Sequence, residues 1–212
     1  MSVQGTPDES VAYGVLTQML IEHQQLRPRG AFILCPQLRL LWNPVDRQDR
    51  RANLPDIGIG RLMPNGIKLL QGGAEQKAAI IPLMATLPLP SDIIDNTDVR
   101  HKVGLAALQA ADQVKAAVKN GAVPDDQSIE WIVAIGPYFI VRSFGPFSEA
   151  ELDTRGHRPN PSGDAIIAEL LRVAHDTASI TPIPEPLYLI GTSAAADVLE
   201  TFLDNGNMLY DI

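Results

Sequence analysis

With 212 residues, 45% of them apolar, and a net charge of −8, the chain is long enough to bury a core of its own and too apolar to be disordered throughout. A lone cysteine, Cys35, excludes an internal disulfide and a cysteine-based zinc cluster, and no apolar run approaches the roughly 20 residues of a membrane helix. The opening MSVQGTPDES lacks the basic-then-apolar build of a secretory signal and Asn160 is followed by proline, so the expectation is one soluble domain, 1–212, in the cytoplasm or nucleus.

In chain order, Val11, Val15, Leu16, Met19, Leu20 and Leu26 recur at helical spacing and predict a first helix over residues 9 to 26 with one buried stripe. Pro28 and Gly30 end it. Ala31 to Cys35 and Leu38 to Trp42 follow as short strands separated by Pro36, with Cys35 expected in the core. Asn43 to Asn53 is polar and charged and predicts a loop. From Leu54 to Met63 and again from Ile67 to Leu70 the pattern is that of an antiparallel hairpin turning at Pro64-Asn65-Gly66, its second arm interrupted by Gly72-Gly73.

After a stretch punctuated by Pro82, Pro88 and Pro90 comes the clearest element. Val99, Val103, Ala106, Ala107, Ala110, Val114, Ala117 and Val118 share one helical face, closed by Asn120-Gly121. Ile129 to Ile135 and Tyr138 to Phe144 read as strands flanking Gly136-Pro137, with Trp131 and Phe139 as core anchors. A long loop over Gly145 to Gly163, a helix over Asp164 to Thr177, a strand over Leu187 to Ile190 and a last helix from Thr192 or Ser193 to about Leu203 complete the chain. This order predicts an α/β fold, a mixed β-sheet flanked by helices.

Charge is distributed unevenly. Between Arg27 and Lys77 nine basic residues face four acids, a net +5 that leaves −13 for the rest. A solvated loop around Asp46 to Arg51 and a phosphate-facing patch are the two explanations of that run. Within it, Pro55-Asp56 opens one hairpin arm and Glu75-Gln76-Lys77 ends the other. On a strand Glu75 and Lys77 point to the same side, so two carboxylates and an ammonium can converge. Carboxylate oxygens suit a hard cation such as Mg²⁺ or Mn²⁺, which accepts phosphate oxygens as further ligands, while Lys77 orients a water or shares the charge of a scissile phosphate.

In Pro55-Asp56 and Glu75-Gln76-Lys77, on neighbouring strands and followed by a long helix, the sequence resembles the PD-(D/E)XK, or restriction-endonuclease-like, nuclease superfamily. The resemblance implies a restriction-endonuclease-like core over about residues 9 to 145 with a C-terminal α/β extension from about 146 to 212. It also implies metal-dependent cleavage of DNA or RNA, with Asp56 and Glu75 as metal ligands, Lys77 as the catalytic lysine, Glu22 on the preceding helix as a further acidic ligand, and Gln109 and Gln113 as supporting polar residues. The run from Ser128 to Asp164 is similar to uncharacterised fungal proteins carrying this motif. Two features depart from the family pattern: Gln76 stands where an apolar residue is usual, and Gly72-Gly73-Ala74 replaces an apolar lead-in.

Pro-Asp also occurs at Pro7-Asp8 and Pro124-Asp125, whereas acid-x-lysine occurs only at Glu75 to Lys77. Without metal, Asp56 reads as a turn residue and Glu75 with Lys77 as an exposed pair. His23, His101, His157 and His175 have no paired ligand spacing. The Gly58-x-Gly60 run lacks the third glycine of a dinucleotide fingerprint, no phosphate-binding P-loop or G-x-S-x-G elbow exists, and Thr192-Ser193 reads as a helix cap. A catalytically inactive nuclease-fold binding or regulatory module and a scaffold protein are the alternatives to a nuclease. DNA versus RNA and homodimer versus monomer stay open.

Overall fold

The computed structural model describes residues 9–25, 33–41, 52–62, 68–77, 88–93, 96–154 and 186–208. Helix α1 (Glu9–Gln25) presents Leu16, Met19 and Leu20 at the i, i+3, i+4 spacing that one packed face requires, and both leucines are fully buried. Val15, expected in that stripe, lies at its edge and is 45% exposed.

Six strands form the main sheet in the order β1 (Ile33–Pro36), β4 (Ile57–Leu62), β5 (Lys68–Lys77), β6 (Ile129–Ile135), β7 (Tyr138–Phe144) and β8 (Tyr188–Leu189). Neighbours run antiparallel except β5 and β6, which pair in parallel. The sheet is thus mixed, and with helices on its faces the chain is α/β. A parallel pair needs a crossover between its strands. Among the described residues this crossover contains the helices α2 (Pro90–Ile93) and α3 (Thr97–Lys119). The Asn96 side chain caps α3 by accepting from the amides of Asp98 and Val99. At the other end Asn120 donates to the Leu41 carbonyl at 2.6 Å, and Gly121 takes the left-handed conformation (φ +66°) that terminates the helix.

Because the central strands are covered on both sides, their apolar residues alternate between two cores. Trp131, Val133 and Ile135 of β6 pack with Val103, Ala110 and Val114 of α3. Ile132 and Ala134 pack on the opposite face with α1 and with α5 (Ser193–Met208), which contributes Leu199, Phe202 and Leu203. Strand β8 adds Tyr188 beside Phe139, ring centroids 5.5 Å apart, so the last described elements join the same sheet and core. Among the described residues no helix is long and apolar enough to cross a membrane.

Several local expectations change. Gly72-Gly73 does not end the hairpin arm, since β5 extends from Lys68 to Lys77, but its register with β4 shifts at the adjoining Gln71. Its glycines make room for rings arriving from opposite faces. A Cβ at Gly72 would come within 2.6 Å of Phe202, and one at Gly73 would overlap the Trp131 ring. The expected loop ends in a strand, β3 (Ala52–Asn53), which pairs with β2 (Leu40–Leu41). Short helix α4 (Glu149–Asp153) lies within the long loop, opened by a reciprocal capping box between Ser148 and Glu151. Cys35 is half-buried on edge strand β1 rather than in the core, and the helix expected over 164–177, His157, His175 and the arginines near residue 50 lie outside the described residues.

Candidate active site

Strand register brings the two acids together. The β4–β5 ladder ends with Ile57 paired to Ala74, so Asp56, the bend residue just before β4, stands at the end of the ladder beside Glu75, on whose carboxyl its charge acts. The side of the sheet follows from a bulge. Ile59 pairs with Gly72 but Gly60 with Leu70, so Gln71 is the extra residue and the alternation of β5 is reset there. Leu70 packs toward α3, and five residues on, where an unbroken strand would face away, Glu75 also meets α3.

Backbone bonds hold both acids in place. Asp56 Oδ2 accepts from the Gln76 amide at 2.7 Å, and its carbonyl accepts from the Gln37 amide at 3.0 Å. Across the sheet edge the Lys77 carbonyl accepts from the Gly136 amide at 3.1 Å. Helix α3 is tied to the segment before Asp56, as Asn53 Nδ2 donates to the Asp112 carbonyl at 3.2 Å and Gln113 Nε2 to the Leu54 carbonyl at 3.4 Å.

Glu75 forms the floor of the site, with its side chain only 2% exposed. Lys77 Nζ donates to Glu75 Oε1 at 2.7 Å and to Gln109 Oε1 at 2.6 Å, and Gln113 Nε2 donates to Glu75 Oε2 at 2.5 Å. Lys77, Asp56 and Gln109 are partly exposed, so the arrangement grades from a buried carboxylate to an open rim. Burial pushes the Glu75 carboxyl up from 4.5 to about 7; the Lys77 charge opposes that rise and the Asp56 charge adds to it. A carboxyl poised near neutrality, beside an acid and an amine, is the kind of perturbed group that marks functional sites.

Asp56, Glu75 and Lys77 are therefore neighbours, as are the two glutamines. Glu22 is placed elsewhere. It is exposed on α1 and accepts from Gln18 one turn away at 2.9 Å. Among the described residues no three His, Cys, Asp or Glu side chains gather closely enough to hold a metal ion, so Glu22 does not complete a triad with the other acids. Sequence reasoning missed the Gln76 amide as the partner of Asp56, because a backbone donor leaves no compositional signal. Gln109 and Gln113 were offered only through the family resemblance, as a polar pair one turn apart on α3.

The donor set fits a hard divalent cation. Two carboxylates offer oxygen ligands, and Mg²⁺ is typically held by one or two protein carboxylates with the remaining positions left to water and phosphate. Each carboxylate has capacity beyond the hydrogen bonds it accepts here. Gln113 Oε1 is buried without a hydrogen-bond partner next to Glu75, an acceptor that suits a water ordered at such a site. No family model, no curated protein and no solved structure matches the chain.

Proposed function

We propose that the protein is a metal-dependent nuclease that hydrolyses phosphodiester bonds in DNA or RNA, in the manner of the PD-(D/E)XK superfamily. The observation that carries this reading is the buried Glu75 carboxylate, bonded to the Lys77 ammonium and set opposite Asp56 on the α3 face of the sheet. The mixed sheet, with Asp56 in the bend just before β4, Glu75 on the neighbouring β5 and a long helix after them, supports it further.

In this reading Asp56 and Glu75 hold Mg²⁺ or Mn²⁺. Such a cation would supply positive charge against the phosphate and make a nearby water more acidic. Lys77 orients the attacking water and shares the charge that grows on the phosphate. Gln113 fixes the Glu75 carboxylate from below, and the backbone amide of Gln76 fixes that of Asp56. The protein then works where nucleic acid is found, in the cytoplasm or nucleus.

A second reading, a catalytically inactive module of the same fold, is favoured by one feature: both Glu75 oxygens already accept strong hydrogen bonds, which closes the network without a metal. Incubation with Mn²⁺ and a panel of labelled single- and double-stranded DNA and RNA separates the two. The nuclease reading expects cleavage by wild type and its loss, by 100-fold or more (roughly the weight of one electrostatic group in a transition state), in Lys77→Ala. Absence of cleavage on every substrate favours the inactive module.

A further inference from the structure

We infer that Gln109 is a substrate contact, donating from Nε2 to a non-bridging oxygen of the phosphodiester alongside the free N–H of Lys77; this rests on the nuclease reading. An ammonium can only donate, so the Gln109 oxygen must be the atom that meets Lys77 Nζ at 2.6 Å, and the amide cannot be turned over. Its NH₂ end is thereby directed away from Lys77. Among the described residues Gln109 makes that one side-chain hydrogen bond, so its Nε2 donors meet no acceptor.

Gln113, one turn further along the helix, is built the other way. It is 1% exposed and spends Nε2 on Glu75 and the Leu54 carbonyl. Gln109 is half-buried, at the open rim. Lys77 has three donors and uses two of them, on Glu75 and Gln109, with its side chain 24% exposed. The rim therefore presents the remaining Lys77 N–H and both Gln109 N–H groups beside two carboxylates. Unmatched donors of this kind call for an anionic acceptor, and charge-assisted bonds of phosphate to such donors are the strong ones. A neutral amide adds a donor there without competing with Lys77 for the Glu75 charge.

The test uses Gln109→Glu and Gln109→Ala in the full chain, with Mn²⁺ and the oligonucleotide that wild type cleaves best, made as the natural phosphodiester and as each phosphorothioate diastereomer at the scissile position. Glutamate keeps an oxygen for Lys77 but has no N–H. Loss of kcat/KM by about 10- to 100-fold in Gln109→Glu is expected, the scale of one hydrogen bond to a charged group. In Gln109→Ala the loss should be large on the phosphodiester and small on one phosphorothioate diastereomer, whose sulfur already lacks the bond. Wild-type rates in Gln109→Glu, or an Ala penalty equal on all three substrates, would overturn the substrate contact and leave the nuclease standing. No cleavage by wild type on any substrate would overturn both.

Discussion

Replacing Glu75 by glutamine should remove a pH dependence of stability whose size can be worked from the site. The Glu75 carboxyl is raised from 4.5 to about 7 by burial in a position only 2% exposed, so solvent screening takes little from the effect. Below pH 4.5 the group is neutral in both folded and unfolded chains and carries no penalty. Between 4.5 and 7 the folded protein keeps a proton that the unfolded chain has released, so stability falls as pH rises. Above 7 the whole penalty is present, about 3 kcal/mol at 1.36 kcal/mol per pK unit. Glu75→Gln removes the titration. Urea unfolding of both proteins from pH 5 to 8 should show the variant gaining on wild type by about 2–3 kcal/mol, or roughly 5–10 °C in Tm for a chain of this size. A difference between the two that stays flat with pH, or that runs the other way, would refute the placement of Glu75 as a buried, proton-holding carboxyl.

Three further outcomes follow from the same geometry. Mn²⁺ bound between Asp56 and Glu75 offsets their repulsion and displaces the Glu75 proton, so thermal melting with Mn²⁺ should show a larger rise in Tm at pH 8 than at pH 5; an equal rise at both would contradict it. Gly73→Ala forces a methyl group into the Trp131 ring and should lower stability by about 1–3 kcal/mol or more in chemical denaturation, whereas Gly14→Ala, which meets nothing nearby, should not. Gln113→Leu strips a donor from Glu75 and should cost about 1–3 kcal/mol, more at pH 8 than at pH 5, read from the same unfolding curves.

Periodicity made much of the α/β framework legible. The apolar face of α3 and the runs that became β6 and β7 were visible because helical and extended repeats are local properties of the chain. Gly72-Gly73 misled for the opposite reason. Its local signal is a weak strand, but Trp131 and Phe202, distant in sequence, need the space that a missing Cβ provides. Glycines within a strand often mark a bulge, and one stands beside them at Gln71, but which face it gives Glu75 depends on the pairing with β4. Strand β3 and helix α4 are too short for a periodic signal, and Ser148 with Glu151 was the one local clue to the latter. At the site, residue type and spacing indicated Asp56, Glu75 and Lys77 together, while the family resemblance also offered Glu22, whose helix presents it to solvent beside Gln18. Side-chain chemistry is readable from sequence; which of several acids meets the others is a property of tertiary packing.

The most direct measurement is a calorimetric titration with Mn²⁺ at pH 8 on wild type, Asp56→Ala and Glu22→Gln. A shared cation between the opposed acids predicts one saturable site in wild type, its loss in Asp56→Ala and its retention in Glu22→Gln. No saturable site in wild type, or one that survives Asp56→Ala unchanged, would contradict it.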